Sequence, residues 1–226
     1  TFDWVLPESS SQMDTFKKSC PSMIRHFLGG SNALLFCYGP SASGKTFTIQ
    51  GDEKNPGLLP NILKAVFSSI SAARKAGEAG LNAKPPVSDP HVFPMSPDME
   101  YNVWVTYLEC YNEKVYDLLR KKEEKVGANG RSVHVPADQS APVALDIKYS
   151  RNNVPLINST EPAVETLAQA MQWLNHGASN RSTGFTQINK SSSRSHGIFT
   201  IKLTQRPKNV SDAELAADPS LVKYSK

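Results

Sequence analysis

Apolar positions along this chain follow two alternating rhythms, one helical and one strand-like. From Met13 to Phe27 they recur at helical spacing, and Gly29-Gly30 closes the run, which predicts an amphipathic helix. Ala33-Leu34-Leu35-Phe36-Cys37-Tyr38 is then continuously apolar over strand length, which predicts a buried strand. A glycine-containing segment and a short helical stretch through Ile49 follow, and Gly51–Gly57 reads as a charged turn. Pro60 opens a helix that carries Ile62, Leu63, Val66, Phe67 and Ile70 on one face.

The rhythm breaks between Ser71 and Asp98, where five prolines crowd between Pro85 and Pro97, so residues 71–98 are expected to be a surface insertion. Tyr101–Tyr111, rich in Val, Trp, Thr and Tyr, predicts a buried strand, and Asn112–Leu119 a short helical segment after it. Arg120–Lys125 mixes charges like a solvated turn, while Ser132–Val135 and Val154–Ile157 read as short strands. A helix over Pro162–Gly177 places Val164, Leu167, Ala168, Met171 and Leu174 on one face, and Gly197–Thr204 predicts a further strand. Strands alternating with helices point to an α/β three-layer sandwich around a mostly parallel or mixed central sheet.

Composition narrows the class. The 226 residues suit one domain with a real core, at 39% hydrophobic and 20% charged. A net charge of +4 is only mildly basic, which fits an anionic partner without demanding one, and nucleic acid is not among the expected partners. No run approaches the roughly 18 apolar residues of a membrane span, and Thr1-Phe2-Asp3-Trp4 does not read as a secretory signal. Cys20, Cys37 and Cys110 are odd in number and form no C-x-x-C pair, which favours a reducing compartment, with Cys37 expected buried. The histidines are scattered without metal-ligand spacing, and Ser96-Pro97 reads as part of a solvated loop.

Two segments carry chemistry. Gly39-Pro40-Ser41-Ala42-Ser43-Gly44-Lys45-Thr46 fits the phosphate-loop pattern G-x-x-x-x-G-K-[ST], placed between the apolar run and the helical Phe47-Thr48-Ile49. Glycines let backbone N–H groups wrap a phosphate chain, Lys45 can bridge terminal phosphates, and Thr46 offers a hydroxyl to Mg²⁺. A following helix would direct its positive end at the anion. The second segment, Asn189-Lys190-Ser191-Ser192-Ser193-Arg194-Ser195-His196, precedes the last predicted strand. Serine hydroxyls there could complete a Mg²⁺ shell and orient an attacking water, and such a loop can report the γ-phosphate.

That second segment resembles the switch I signature of kinesin motor domains. Glu109-Cys110-Tyr111-Asn112-Glu113-Lys114-Val115-Tyr116-Asp117-Leu118-Leu119 is similar to the kinesin E-I-Y-N-E-x-x-x-D-L-L segment. Gly57-Leu58-Leu59-Pro60 and Asn180-Arg181-Ser182-Thr183 fall in kinesin order as well, so the resemblance runs over nearly the whole chain. Val103-Trp104-Val105 and the insertion before it resemble the mitotic, cytokinesis-type subfamily.

The resemblance implies ATP and Mg²⁺ as ligands, microtubules as the partner, and a cytoplasmic, cytoskeletal setting, with dimerisation through a coiled coil outside this chain. It implies that Lys45 contacts the β- and γ-phosphates, that Thr46 and Ser193 ligate Mg²⁺, and that Ser192 helps position the catalytic water. Arg194 resembles the arginine that pairs with a switch II glutamate, Asn189 supports the same loop, and Phe47 can stack on adenine. Lys148 and Arg151 are the microtubule-contact candidates.

The chain departs from the family pattern at Pro40 and Ser41, where Gln and Thr are usual, at Ala42, where Gly or Ser is common, and at Ser31, where many kinesins carry a tyrosine near the base. Pro40 fixes φ and has no N–H to donate. The R-x-R-P strand that opens such motors and the D-L-A-G-S-E segment of switch II are not found in residues 1–226, and a strand beginning near Val222 would lead into the latter across 207–226. The expectation is therefore a partial motor domain whose apolar sheet edge is open, with low stability and no microtubule-stimulated ATPase by itself. A non-motile nucleotide- or microtubule-binding relative is the alternative. A kinase or G-protein-like switch would need an acceptor site or an Asn-Lys-x-Asp motif, and neither is found. Myosin also pairs a phosphate loop with a serine-rich switch, but Arg194-Ser195-His196 favours kinesin.

Overall fold

The computed structural model describes residues 2–79, 89–120, 144–149, 155–188 and 195–226. In the larger sheet, hydrogen-bonded neighbours follow the order β2-β1-β6-β7, with β5 on β1, where β1 is Met99–Tyr111, β2 Lys114–Asp117, β5 Ala163–Val164, β6 His196–Pro207 and β7 Lys223–Ser225. A second, two-stranded sheet pairs β3 (Ile147–Tyr149) with β4 (Pro155–Ile157). Helices α1 (Gln12–Ser19), α2 (Pro21–Leu28), α3 (Lys45–Ile49), α4 (Leu58–Ala79), α5 (Leu167–Ile188) and α6 (Asp212–Ala217) complete the α/β arrangement. The chain divides into two compact units, Thr1–Val103 with Val164–Met171 and Lys202–Lys226, and Trp104–Ala163 with Gln172–Ile201.

In the first unit the predicted helix Met13–Phe27 is two helices. Pro21 has no N–H to continue α1, and its fixed φ suits the first position of a new helix, so the chain restarts at α2. Ser11 and Asp14 close a reciprocal capping box at the start of α1. Helix α4 begins at Leu58, before Pro60, and continues past Ser71 to Ala79, so the first residues of the segment expected to be an insertion are helical. Its stripe Leu63, Val66, Ile70 and Ala73 is buried, together with Phe16, Ile24 and Leu28 of α1 and α2. Ser69, inside that stripe, donates to Ala65 O at 2.7 Å and accepts the Phe93 N–H at 2.9 Å. Gln205 Nε2 donates to Leu28 O at 2.8 Å, tying β6 to the end of α2.

The predicted buried strand Ala33–Tyr38 is not a strand. Leu34, Phe36 and Tyr38 are 82%, 73% and 96% exposed, and Cys37 is only half-buried. Alternate residues Ala33, Leu35 and Cys37 face inward. The segment is anchored at its start, where Ala33 N–H donates to Lys226 O at 2.9 Å and Lys226 N–H to Asn32 Oδ1 at 3.1 Å. Among the described residues no strand pairs with it beyond that point. The expected strand near Val222 does form, as β7, antiparallel to β6 with Leu203 opposite Ser225.

In the second unit, Asn112–Leu119 is a turn and strand β2 rather than a helix. Asn112 and Glu113 have φ of 47° and 62°, the two left-handed residues of a tight hairpin turn, so Tyr111 and Lys114 pair directly. Asp117 then accepts the Leu119 N–H at 2.9 Å and the Thr160 N–H at 2.7 Å, fixing the loop beyond β2. The predicted strand at Val154–Ile157 appears as β4, while Ser132–Val135 lies outside the described residues.

Gly177 lies within α5, where glycine is unfavourable by about 1 kcal/mol relative to alanine. A Cβ there would overlap Tyr107 Cδ1 and sit 3.2 Å from Leu119 Cδ2. Gly177→Ala is expected to lower unfolding stability by about 1–3 kcal/mol, because overpacking outweighs the gain in propensity. Denaturant unfolding checks this, and a stabilised variant would contradict the packing argument.

Candidate functional site

The phosphate-loop residues form a compact turn opening into α3. Gly44, the residue before that helix, has φ 83°, a conformation suited to glycine. Ala42 has φ 63°, which is disfavoured for an L-residue with a side chain. Gly39 approaches the loop closely enough that a Cβ would lie 2.8 Å from Ser43 Oγ. Gly44 is thus explained by backbone shape and Gly39 by its closeness to the Ser43 side chain, while Ala42 holds a left-handed shape at a family position that more often carries Gly or Ser.

Lys45 folds back over the loop. Its Nζ donates to Gly39 O at 2.9 Å and to Pro40 O at 2.5 Å, so the cation is held above the turn by the loop's own carbonyls. Pro40 contributes an acceptor here although it has no N–H to offer an anion. The Thr46 hydroxyl and the half-exposed Phe47 ring lie on the first turn of α3. Gln12 of α1 donates to Phe47 O at 2.6 Å. Burial raises the Cys37 thiol pKa, against the opposing charge of Lys45. Helix α3 has only five residues, little more than one turn, so the macrodipole expected from the sequence is that of a minimal helix.

Asn189, Ser192, Ser193 and Arg194 lie outside the described residues, as does Arg151. Lys148 is exposed on β3. The flanking residue Ser195 is described, and it discloses a cluster in the second unit that sequence reasoning did not assign. Ser195 Oγ donates to Glu109 Oε1 at 2.7 Å, and Arg181 Nε donates to the same oxygen at 2.9 Å. Arg181 Nη2 also reaches Ser195 Oγ at 3.2 Å. The Glu109 side chain is 7% exposed and that of Arg181 20%, so this is a largely dry ion pair. Three motif segments far apart in sequence meet here: Glu109-Cys110-Tyr111, Asn180-Arg181 and Ser195-His196. The signal lies in the motifs themselves, which carry opposite charges at Glu109 and Arg181. Asn180 Nδ2 donates to Leu118 O at 2.8 Å, holding the same turn of α5 to the end of the Glu109 segment.

No group of His, Cys, Asp and Glu suited to a metal appears among the described residues, and no described helix is long and apolar enough to cross a membrane.

A family model described as the kinesin motor domain matches residues 1–223. The kinesin-like protein KIP2 of Eremothecium gossypii is 32% identical over 206 residues, covering 90% of this chain and 26% of its own length. A solved structure described as kinesin 6 superposes with a TM-score of 0.71 at 25% identity, over 99% of this chain and 65% of that one. A KIF14 dimer, solved with AMP-PNP in complex with a microtubule, superposes with a TM-score of 0.65 at 25% identity, over 94% of this chain and 49% of that one. The chain spans about a quarter of the length of the KIP2 relatives it matches.

Removing one partner from a largely buried ion pair strands the other charge, a loss of about 3–5 kcal/mol. Glu109→Ala is therefore expected to cost about 3 kcal/mol or more. Arg206→Ala, which breaks a pair with Glu100 that is 39% and 41% exposed, should cost about 1 kcal/mol or less. Thermal or denaturant unfolding of both variants compares them directly, and equal losses would refute the distinction.

Proposed function

The chain belongs to the kinesin motor domain family, and from that premise we propose that residues 1–226 form the ATP-binding part of a motor that hydrolyses ATP to move along microtubules. The observation that carries this reading is the loop Gly39–Thr46, with the Lys45 cation held directly over it. Its donor chemistry fits a nucleotide triphosphate: an ammonium, a hydroxyl at the head of a helix, and a turn shaped by Gly39 and Gly44. Gly39, Pro40, Ser41, Ala42, Ser43 and Gly44 would wrap the phosphate chain, and Lys45 would bind its β- and γ-oxygens. Thr46 and Ser193 would hold Mg²⁺, which when bound neutralises charge developing on the transferred phosphoryl group.

The remaining steps belong to the protein. Phosphoryl transfer asks for positioned groups rather than covalent help. Ser192 would orient the attacking water, Asn189 would support the loop that carries it, and Arg194 would lock that loop to an acidic partner. Phe47, half-exposed on α3, would stack its ring on the adenine. Glu109 and Arg181 would contribute by holding Ser195, the residue before β6, in place.

For the whole protein the reading places the motor in the cytoplasm on the microtubule cytoskeleton. Lys148 and Arg151 would contribute to the tubulin contact, and dimerisation would come from a coiled coil elsewhere in the protein. A tubulin contact through Lys148 and Arg151 would rest on charge, so it should weaken with salt.

Lys45→Ala is expected to weaken Mg·ATP binding at least tenfold, measured by titration calorimetry or a fluorescent ATP analogue. Equal affinity in both proteins would count against the nucleotide site. In the whole protein, Lys148→Ala with Arg151→Ala should lower microtubule affinity in co-sedimentation while leaving Mg·ATP affinity unchanged. Unaltered co-sedimentation removes these two residues from the interface.

A further inference from the structure

Helix α3 positions Lys45 and Thr46 but has five residues, no side-chain cap at its start and no fully buried residue of its own. So short a helix is marginal in water, and its geometry is set by the contacts at its ends. At its far end the chain turns through residues 51–57 and returns, with Gly57 N–H donating to Gln50 O at 3.0 Å and Gly51 bridging Pro56. That turn is gripped from α4. Asn61 Nδ2 donates to Pro56 O at 3.0 Å and to Gly57 O at 2.8 Å.

Both amide hydrogens of Asn61 are spent on those carbonyls, so its Oδ1 acts as acceptor. It lies 2.9 Å from His91 Nε2, which is therefore the donor. His91 is 2% exposed and its ring stacks on Phe16 with centroids 5.1 Å apart. Its other ring nitrogen, Nδ1, lies 3.1 Å from Asp89 Oδ1, and the same oxygen accepts the His91 backbone N–H at 2.9 Å. Two residues on, the Phe93 N–H bond to Ser69 pins the segment to α4 a second time. A continuous set of hydrogen bonds thus runs from Asp89 and His91 through Asn61 to the turn that holds the end of α3.

We propose that His91 is a positioning residue for nucleotide binding, acting through Asn61 on the Gly51–Gly57 turn to hold α3, and with it Lys45 and Thr46, in the binding-competent geometry. The inference rests on the reading of Gly39–Thr46 as the nucleotide site. If the competent arrangement of α3 is only fractionally populated once the bond to Asn61 is lost, apparent affinity falls by that fraction.

Two replacements separate this from simple packing. Gln can place an amide nitrogen near the position of His Nε2 and keep the bond to Asn61. Asn places its nitrogen near the position of Nδ1, beside Asp89, and loses the bond to Asn61. In the whole protein, H91N is expected to weaken Mg·ATP binding about fivefold, the loss of one hydrogen bond, while H91Q stays within about twofold of wild type. Asn61→Asp keeps the acceptor for His91 but loses both donors to the turn, and should weaken binding as H91N does. That variant also carries the test if H91N does not fold. Equal melting-point losses in H91N and H91Q with unchanged affinity would assign His91 to packing alone, and unchanged affinity in Asn61→Asp overturns the proposal. Absence of Mg·ATP binding by the wild-type protein would instead overturn the nucleotide reading and this inference with it. Binding by wild type that is insensitive to all three variants overturns this inference alone.

Discussion

A helix of one turn cannot maintain itself in water, and the geometry of Lys45 and Thr46 depends on that constraint. What α3 lacks in its own hydrogen bonds, its surroundings supply. Gln12 of α1 holds the Phe47 carbonyl, and the turn after Gln50 is closed by Gly57 and clasped by Asn61. These supports are anchored in turn by the buried stripe of α4, where Leu63, Val66 and Ile70 pack with Phe16 and Ile24. Hydrophobic burial fixes α4, α4 fixes the turn, and the turn fixes the loop that would receive phosphate. The loop's own sequence specifies only its backbone shape.

The same dependence explains where polar groups are found in the interior. Ser69 and His91 are buried, and each is used to hold the segment Asp89–Phe93 against α4. Burial pushes the His91 pKa down, with Asp89 pulling against it. In the second unit, Glu109 is dry because Arg181 and Ser195 both donate to it. Buried polar groups of this kind are costly unless satisfied, and in each of these cases at least one partner comes from a distant part of the chain.

Much of the fold was legible in the residues. The stripe of α4 and the strands at Tyr101–Tyr111 and Gly197–Thr204 stand where the residue pattern put them, and the strand near Val222 where the family resemblance put it, with ends shifted by a few residues. The misses have physical causes. Pro21 split a helix that periodicity read as one. Asn112-Glu113 made a hairpin turn without glycine, so the segment expected to be helical returns as strand β2. Ala33–Tyr38 is apolar enough for a buried strand, but burial is a property of neighbours, and none lies over Leu34, Phe36 and Tyr38 among the described residues.

The sequence alone determined the family. The spacing of Gly39, Gly44, Lys45 and Thr46 matches the phosphate-loop pattern, and the order of four further segments pointed to the fold in which it sits. Such signals are local or ordered along the chain, so they survive without coordinates. Tertiary structure decided what distance in sequence conceals. It brought Glu109, Arg181 and Ser195 onto one carboxylate oxygen, and it joined His91 to a turn more than thirty residues away through a single asparagine. Those pairings depend on how helices and strands pack, and hydrogen-bond partners chosen by packing leave no spacing in the sequence to read.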